Sequence, residues 1–378
     1  MIERADVLVI GGGPAGAAAA ARLAAGGLRV VLAERHPEPR PQVCGEYLSG
    51  AAAAELEQLG LAPSRLGARA LARARVWGAS PMRAAQLPAA GHGLSRACLD
   101  RSLLAYARQC GADVRTGVAV RGLEPDRATW ISTLGDGGRI ESGAVVLATG
   151  KHDLRGHRRP WHGAQPVIGF KTHCRLRADQ AAALGDAVEL FLYEGGYAGL
   201  QPVETGAANL CFVTSAGGLR GSRDPWAAAL ALLRRIAPTL DRRLQGASLL
   251  WPRPASIARV PYGYLCADHP AAARLYRVGD QALVIPSFTG EGIAIALRTA
   301  RLAAAAVLAG DGAERYAAAL RRDFSGPLRR SGLLAAALRH GPLRRLGLGL
   351  AAVPGVPAVL AGLSCLDAVP DQSGERAL

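Results

Sequence analysis

An α/β fold, in which a parallel sheet flanked by helices is interrupted by an antiparallel sheet, is predicted by three features of this 378-residue sequence. The first is an apolar run, Asp6–Ile10, that ends in Gly11-Gly12-Gly13-Pro14-Ala15-Gly16, continues as a small-residue helical stretch over Ala15–Ala25, and resumes as an apolar run over Arg29–Ala33. Strand, glycine turn, helix and strand make one βαβ unit of Rossmann-like type. The second is a return of that style late in the chain, where Tyr276–Gly279 reads as a strand and Glu291–Ala309 as a long helix. The third is the texture between them. From about Lys151 to Pro270 the runs Val167–Leu176, Val188–Tyr193 and Ala208–Thr214 alternate with the period of half-buried strands, broken by one helix at Trp226–Ile236. The expected division gives residues 1–150 with 271–325 to a discontinuous nucleotide domain, 151–270 to an inserted sheet domain carrying the substrate, and 326–378 to a helical, apolar and basic C-terminal segment.

Within the first domain, Gly50–Leu59 and Arg96–Gln109 read as helices, and Val114–Val120, Thr129–Leu134 and Ala144–Ala148 as strands. Half of the residues are hydrophobic, so a large core is available. The 47 glycines and 23 prolines are spread along the chain and mark turns rather than low complexity. The formal charge of +15 raises the question of nucleic acid. No stretch interleaves basic and aromatic residues, and apart from Lys151 and Lys171 every basic residue is Arg, so nucleic acid is not expected as a partner. Seven cysteines with no CxxC indicate neither a disulfide framework nor a zinc site. Reduced thiols and a cytoplasmic location follow, and the start MIERADVLVI lacks the basic lead of a signal peptide. No tight histidine spacing suggests a metal, and no GxSxG elbow suggests a serine nucleophile.

The glycine turn carries the first chemistry. Gly11 permits the tight turn, Gly13 lets the backbone approach a pyrophosphate, and Gly16 allows close helix–strand packing, while the helix N-terminus supplies partial positive charge. Glu34, at the end of the second strand, can accept hydrogen bonds from a ribose diol and would repel a 2′-phosphate, which fits the adenosine of FAD or NAD. The second motif is Arg277-Val278-Gly279-Asp280-Gln281-Ala282, followed by Pro286-Ser287-Phe288-Thr289-Gly290-Glu291-Gly292-Ile293. Asp280 can bind polyol hydroxyls, and the helix start near Gly290 can stabilise negative charge on a reduced ring.

These paired motifs around an inserted sheet resemble the flavoprotein superfamily of aromatic hydroxylases and geranylgeranyl reductases, over roughly residues 5 to 310. The resemblance implies FAD as cofactor, with NADPH or NADH as electron donor, and places the ribityl chain on Asp280. Arg96 heads a segment similar to the family's Arg-x-x-Leu-Asp, where the Arg lies near the FAD phosphates; an Arg at a helix start opposes the dipole and calls for an anionic partner. The family's middle motif reads Ala-Asp-Gly, whereas Ala148-Thr149-Gly150-Lys151 stands here. The implied cofactor set is Gly11, Gly13, Pro14, Ala15, Gly16, Glu34, Arg35, Cys44, Gly45, Arg96, Val120, Gly150, Gly279, Asp280, Gly290, Gly292 and Ile293.

Cys44-Gly45-Glu46 looks like the Cys-Gly-Glu/Gly segment that lies beside the flavin ring in geranylgeranyl reductases. A thiol there could donate a proton, tune the flavin or line the pocket, and Glu46 could bond the cofactor or cap the following helix. Tyr193, Tyr197 and Pro202 resemble parts of the reductases' prenyl-contact motif, but Ala198, Gly199 and Leu200 replace its bulky aromatics. The expected function is therefore FAD-dependent oxidation or reduction of a lipophilic small molecule. Monooxygenation of an aromatic or polyketide-type substrate comes first, with reduction of isoprenoid C=C bonds as the alternative. Beyond an Arg-rich stretch, Leu346–Leu366 is uncharged and broken by Pro354 and Pro357. It reads as pocket-closing helices first, as peripheral membrane contact second and as a membrane span third.

Overall fold

The computed structural model describes residues 2–78, 82–159, 167–219, 221–266 and 274–339. In chain order the elements are β1 (Glu3–Ile10), α1 (Pro14–Ala25), β2 (Val30–Glu34), β3 (Tyr47–Leu48), α2 (Gly50–Glu57), β4 (Arg69–Trp77), β5 (Arg83–Gly93), α3 (Arg96–Gln109), β6 (Asp113–Thr116), β7 (Val120–Asp126), β8 (Thr129–Leu134) and β9 (Arg139–Leu147). They continue as β10 (Val167–Arg175), α4 (Ala178–Leu184), β11 (Ala187–Tyr193), β12 (Gly196–Pro202), β13 (Ala208–Ser215), α5 (Pro225–Ile236), α6 (Pro238–Leu244), β14 (Ser248–Leu249), β15 (Ala255–Ala258), β16 (Leu275–Arg277), α7 (Gly292–Leu308) and α8 (Ala313–Arg339).

The first sheet has a parallel core in the order β6-β2-β1-β9-β16, and the β7–β8 hairpin adds to it antiparallel along the N-terminal half of β9. The middle of β1 is buried on both faces, which is why its sequence is a continuous apolar run rather than an alternation. Pro14 opens α1, where its missing N–H costs nothing, and Gly26-Gly27 close it, Gly27 with φ +86°. Ala17 to Ala21 are all buried. These small side chains let α3 and α7 pack closely against α1. The expected strand Val114–Val120 is two strands: β6 ends at Thr116, Gly117 turns the chain at φ +80°, and β7 starts at Val120.

The second sheet runs β14-β10-β13-β12-β11-β4-β5-β3, with β15 also on β10, and every pairing is antiparallel except β11 with β4. The sheets therefore do not divide at residue 150 as expected, because β3, β4 and β5 belong to the second sheet. Ala and Arg dominate those strands and give little strand signal. One face of this sheet packs Phe170, Phe212, Phe191 and Leu200 under α5 and α6. The other face looks toward the loops at the carboxyl ends of the parallel strands, where α/β sheets bind their ligands.

Candidate active site

Three glycines of the first turn play separable parts. A Cβ on Gly11 would sit 2.5 Å from Ala148 O, and one on Gly16 would sit 1.9 Å from Gly11 O. Both are glycine because backbone passes too close for a side chain. A Cβ on Gly13 would meet only the Arg96 guanidinium, at 3.5 Å. Gly13 is also the residue before α1, and no side chain caps that helix. The turn thus leaves a cradle of free space at a helix N-terminus, sized by the protein for something other than itself. Glu34 accepts from Gly12 N at 2.7 Å and from His36 N at 2.9 Å, which holds its carboxylate at the mouth of the cradle. Gly12, Gly13, Glu34, His36, Arg96 and Thr116 line this pocket. These features fit the adenosine and pyrophosphate of a dinucleotide.

Arg96 has the anionic partner that its place at a helix start requires. Its Nε and terminal nitrogen both lie 2.9 Å from the Asp100 carboxylate, one turn on. Burial works to lower the Arg96 pKa, but the Asp100 charge more than offsets it and the guanidinium is held charged. Asp280 lies across the cavity, in the turn after β16. Gly279 enters that turn at φ +60°, with its N–H on Thr299 Oγ1 at 2.8 Å. Arg159 ties the turn to the segment after β9, donating to Asp280 O at 2.7 Å and to Lys151 O at 2.9 Å. Gln281 adds bonds to Gly150 O and His152 O at 2.9 and 3.1 Å. Lys151 Nζ then stands 3.2 Å from Asp280 Oδ2 and 3.3 Å from Val43 O.

The Cys44-Gly45-Glu46 loop is gripped from below by the second sheet. Asn209 Nδ2 donates to Gly45 O at 2.7 Å, and Gln201 Nε2 to Glu46 O at 2.7 Å. Glu46 itself is buried and holds φ +56°, unusual for a non-glycine residue. Its carboxylate pairs with Lys171 Nζ, accepts from Arg96 N at 2.7 Å and meets His173 Nε2 at 2.6 Å. Trp251 covers Lys171 and His173, with ring-centre distances of 5.4 and 4.6 Å. Burial pushes the Glu46 pKa up, but the bonds and charges of His173 and Lys171 win and hold it below the ordinary carboxylate range. Glu46 does not cap α2, which Ser49 Oγ caps through Ala52 N at 3.3 Å; instead it caps the start of α3, with Ser95. It is a keystone of the loop. The Cys44 thiol accepts from Glu46 N at 3.3 Å and is half-buried. Both the Arg96 guanidinium and the Lys151 ammonium lie near it.

Register shows what shares the loop-facing side of the sheet. Lys171, Cys211, Gly199 and Leu190 form one cross-strand row; His173, Asn209 and Gln201 flank it on one side, and Val213, Tyr197 and Leu192 on the other. One side of the row is polar and grips the Cys44 loop. The other is apolar, and Tyr197 there packs edge-on to Phe288 at 6.1 Å. Tyr262 closes that side, its hydroxyl 2.5 Å from Ser287 Oγ. Gly290 lies under the Tyr47 ring, which a Cβ would strike at 2.7 Å. Gly45, Gly150 and Gly292 face open space.

Several sequence expectations land elsewhere. Tyr193 turns to the back of the sheet, where it is buried and its hydroxyl donates to Val213 O at 2.9 Å. Pro202 also lies on the back, about 17 Å along the strand from Tyr197 at 3.4 Å per residue, beside Gly93. Val120 packs beside the Ile10 and Leu147 cluster, and Thr116 takes the pocket position from that region. Arg35 points to His36, and the Ile293 side chain is core. Lys151, Lys171, His173, Asn209, Gln201, Tyr262 and Phe288 were not foreseen. A signal did exist: of 45 basic residues, the two lysines are both here.

The FAD binding domain family matches residues 4–146. The menaquinone reductase of Mycolicibacterium smegmatis is 30% identical over 326 residues, spanning 82% of this chain and 78% of that one. The chain belongs to the FAD-dependent oxidoreductase superfamily of aromatic hydroxylases and geranylgeranyl reductases. Among its relatives, the digeranylgeranylglycerophospholipid reductase 2 of Methanopyrus kandleri is 26% identical over 79% of this flavoprotein and 75% of that chain. A geranylgeranyl bacteriochlorophyll reductase-like protein of Thermoplasma acidophilum shares its fold at TM-score 0.77 and 19% identity, over 98% of both chains. The flavin-dependent brominase Bmp2 does so at TM-score 0.79 and 20% identity, over 96% of this flavoprotein and 94% of that chain. The flavoprotein is an FAD-dependent oxidoreductase, and the Gly13 cradle with Glu34 fits the cofactor's nucleotide end.

Proposed function

We propose that this flavoprotein reduces a carbon–carbon double bond in a lipophilic, isoprenoid- or quinone-type molecule. The observation that carries this reading is the half-buried Cys44 thiol, in a loop that four side chains of the second sheet grip. Supporting it, the relatives that align along most of their length are named as reductases. FAD, when bound, would supply hydride for one carbon of the double bond. Cys44 supplies a proton to the other, and the substrate gains two hydrogens. The thiolate left behind faces Arg96 and Lys151, which offset its charge until a proton returns from solvent. Asp280 and Gly13 hold the cofactor, with NADPH or NADH as the proposed donor of its electrons. The apolar side of the sheet, from Leu190 and Leu192 to Tyr197 and Phe288, keeps water from the reacting carbons and receives the hydrocarbon.

Hydroxylation of an aromatic or polyketide-type substrate is the second reading. It is favoured by Ala198, Gly199 and Leu200, where the resemblance would place the reductases' prenyl-contact aromatics. It needs no acid at Cys44, because oxygen is the co-substrate. Mass spectrometry of product formed under nitrogen and under air, for the parent and Cys44→Ser, separates the two. A product heavier by two hydrogens under nitrogen, lost in Cys44→Ser, is the expected result. A product that gains oxygen only in air, with Cys44→Ser unimpaired, overturns it in favour of hydroxylation.

A further inference from the structure

We propose that Lys151 is a cofactor residue that binds reduced FAD more tightly than oxidised FAD and so sets the flavin's potential. The inference rests on the FAD assignment and goes beyond the resemblance, whose middle motif carries an Asp near this place and no lysine. Lys151 follows β9, whose end abuts the Gly11 turn, so it stands in the crevice at the carboxyl ends of the parallel strands. Its ammonium links the turn after β16 to the segment before the Cys44 loop. Asp280, which the resemblance places at the ribityl chain, is at 3.2 Å, and Val43 O, at 3.3 Å, is beside the Cys44 loop. Arg159 fixes its backbone through the carbonyl at 2.9 Å. The side chain is 29% exposed although protein surrounds it, as expected for a residue on a cavity wall. Burial would lower its pKa, but the Asp280 charge more than offsets it, so the ammonium is charged at neutral pH.

Composition argues that the residue type matters. Two of 45 basic residues are lysines, and this is one of them. A lysine presents a compact point charge, whereas an arginine here would present a planar fork suited to a bidentate partner. Flavin reduction adds two electrons and one proton, which leaves one negative charge on the ring. A fixed cation favours that state, and the Asp280 carboxylate moderates it.

The test is the midpoint potential of the holoprotein, measured by dithionite titration against a reference dye, together with the FAD dissociation constant of the oxidised protein. Lys151→Met is expected to weaken reduced FAD about tenfold more than oxidised FAD, which lowers the potential by about 30 mV for a two-electron couple. Lys151→Arg keeps the charge and stays near the parent potential. Asp280→Asn frees the ammonium of its counter-charge and shifts the potential the opposite way, so the proposal stays falsifiable if Lys151→Met folds poorly. Equal weakening of both oxidation states in Lys151→Met, or a potential unmoved in Asp280→Asn, overturns the proposal and leaves the FAD assignment standing. A parent protein that binds no FAD would instead sink that assignment.

Discussion

At the scale of single residues, this site is built from groups whose neighbours leave them little freedom. Glu46 shows it best. A buried carboxylate is costly unless it is fully paired, and Lys171, His173 and the α3 amide pair it. Glu46→Gln leaves the Lys171 ammonium without its counter-charge. We expect a loss of about 3–5 kcal/mol of stability, typical of a broken buried pair, read as a fall in thermal midpoint. The pH dependence has a definite sign. Glu46 titrates below its ordinary range in the folded chain, so the unfolded chain takes up the proton first as pH falls. Its stabilisation is complete above the ordinary Glu pKa of about 4.3 and is lost as pH drops toward the lowered folded value. An acid-unfolding curve for Glu46→Gln should lack that component. The glycines give a second contrast. Gly16→Ala pushes a methyl into the Gly11 carbonyl and should destabilise the fold by about 3 kcal/mol, the upper end for overpacking. Gly13→Val should fold and lose FAD, because its side chain enters only the cradle. Full flavin occupancy in Gly13→Val would remove the cradle from the cofactor site.

At the scale of elements, the second sheet has two different faces because side chains alternate. Phe170, Phe212 and Leu200 make a core with α5 and α6, while Lys171, Cys211 and Gly199 face the cavity. The cavity face grades from polar beside Asn209 to apolar beside Leu192, so it can hold a molecule with one reactive end and one hydrocarbon end. Leu190 and Leu192 are half-buried members of that face. Leu190→Glu should weaken binding of a short-chain menaquinone probe by tenfold or more, since burying a leucine is worth about 1.5–3 kcal/mol. The flavin absorbance change on titration reads it. Unchanged affinity would put the hydrocarbon elsewhere. A one-residue change of register would exchange the two faces, so the site depends on the pairing of β12 with β13 as much as on any side chain.

At the scale of the whole molecule, the charge of +15 and the C-terminal sequence bear on where the enzyme works. No helix among the described residues is long and apolar enough to cross a membrane. Leu346–Leu366, expected as a pocket lid or membrane contact, lies outside the described residues. Before it, α8 exposes Arg322 and Arg329, and Leu333 is 71% exposed. A lipophilic substrate and a basic surface together lead us to propose peripheral contact with an anionic lipid surface. The full-length protein should co-sediment with anionic vesicles at low salt and be released by salt, and truncation after Arg345 should reduce the binding. Protein that stays in the supernatant at low salt would make the basic bias compositional only.

The sequence by itself determined what depends on local order. The βαβ unit follows from an apolar run, a glycine turn and a small-residue helix, and the spans of α3, β8, β13 and α7 follow from periodicity, to within a residue or so. Gly11 and Gly16 were legible because they sit in a motif with its own spacing, and Asp280 and the Cys44 loop were singled out through the family resemblance. Only the tertiary structure decided what depends on distant pairing. It moved β4 and β5 into the second sheet beside β11, where Ala- and Arg-rich strands had given no signal. It turned Tyr193 and Pro202 to the back of that sheet and kept Tyr197 in front, because strand register fixes which face a residue takes. It also brought Lys171, 125 residues from Glu46, into a buried pair with it, and Lys151, 129 residues before Asp280, to that carboxylate. Charges and faces of this kind are set by which strands meet, and that is settled by packing the two sheets together rather than by any local run of residues.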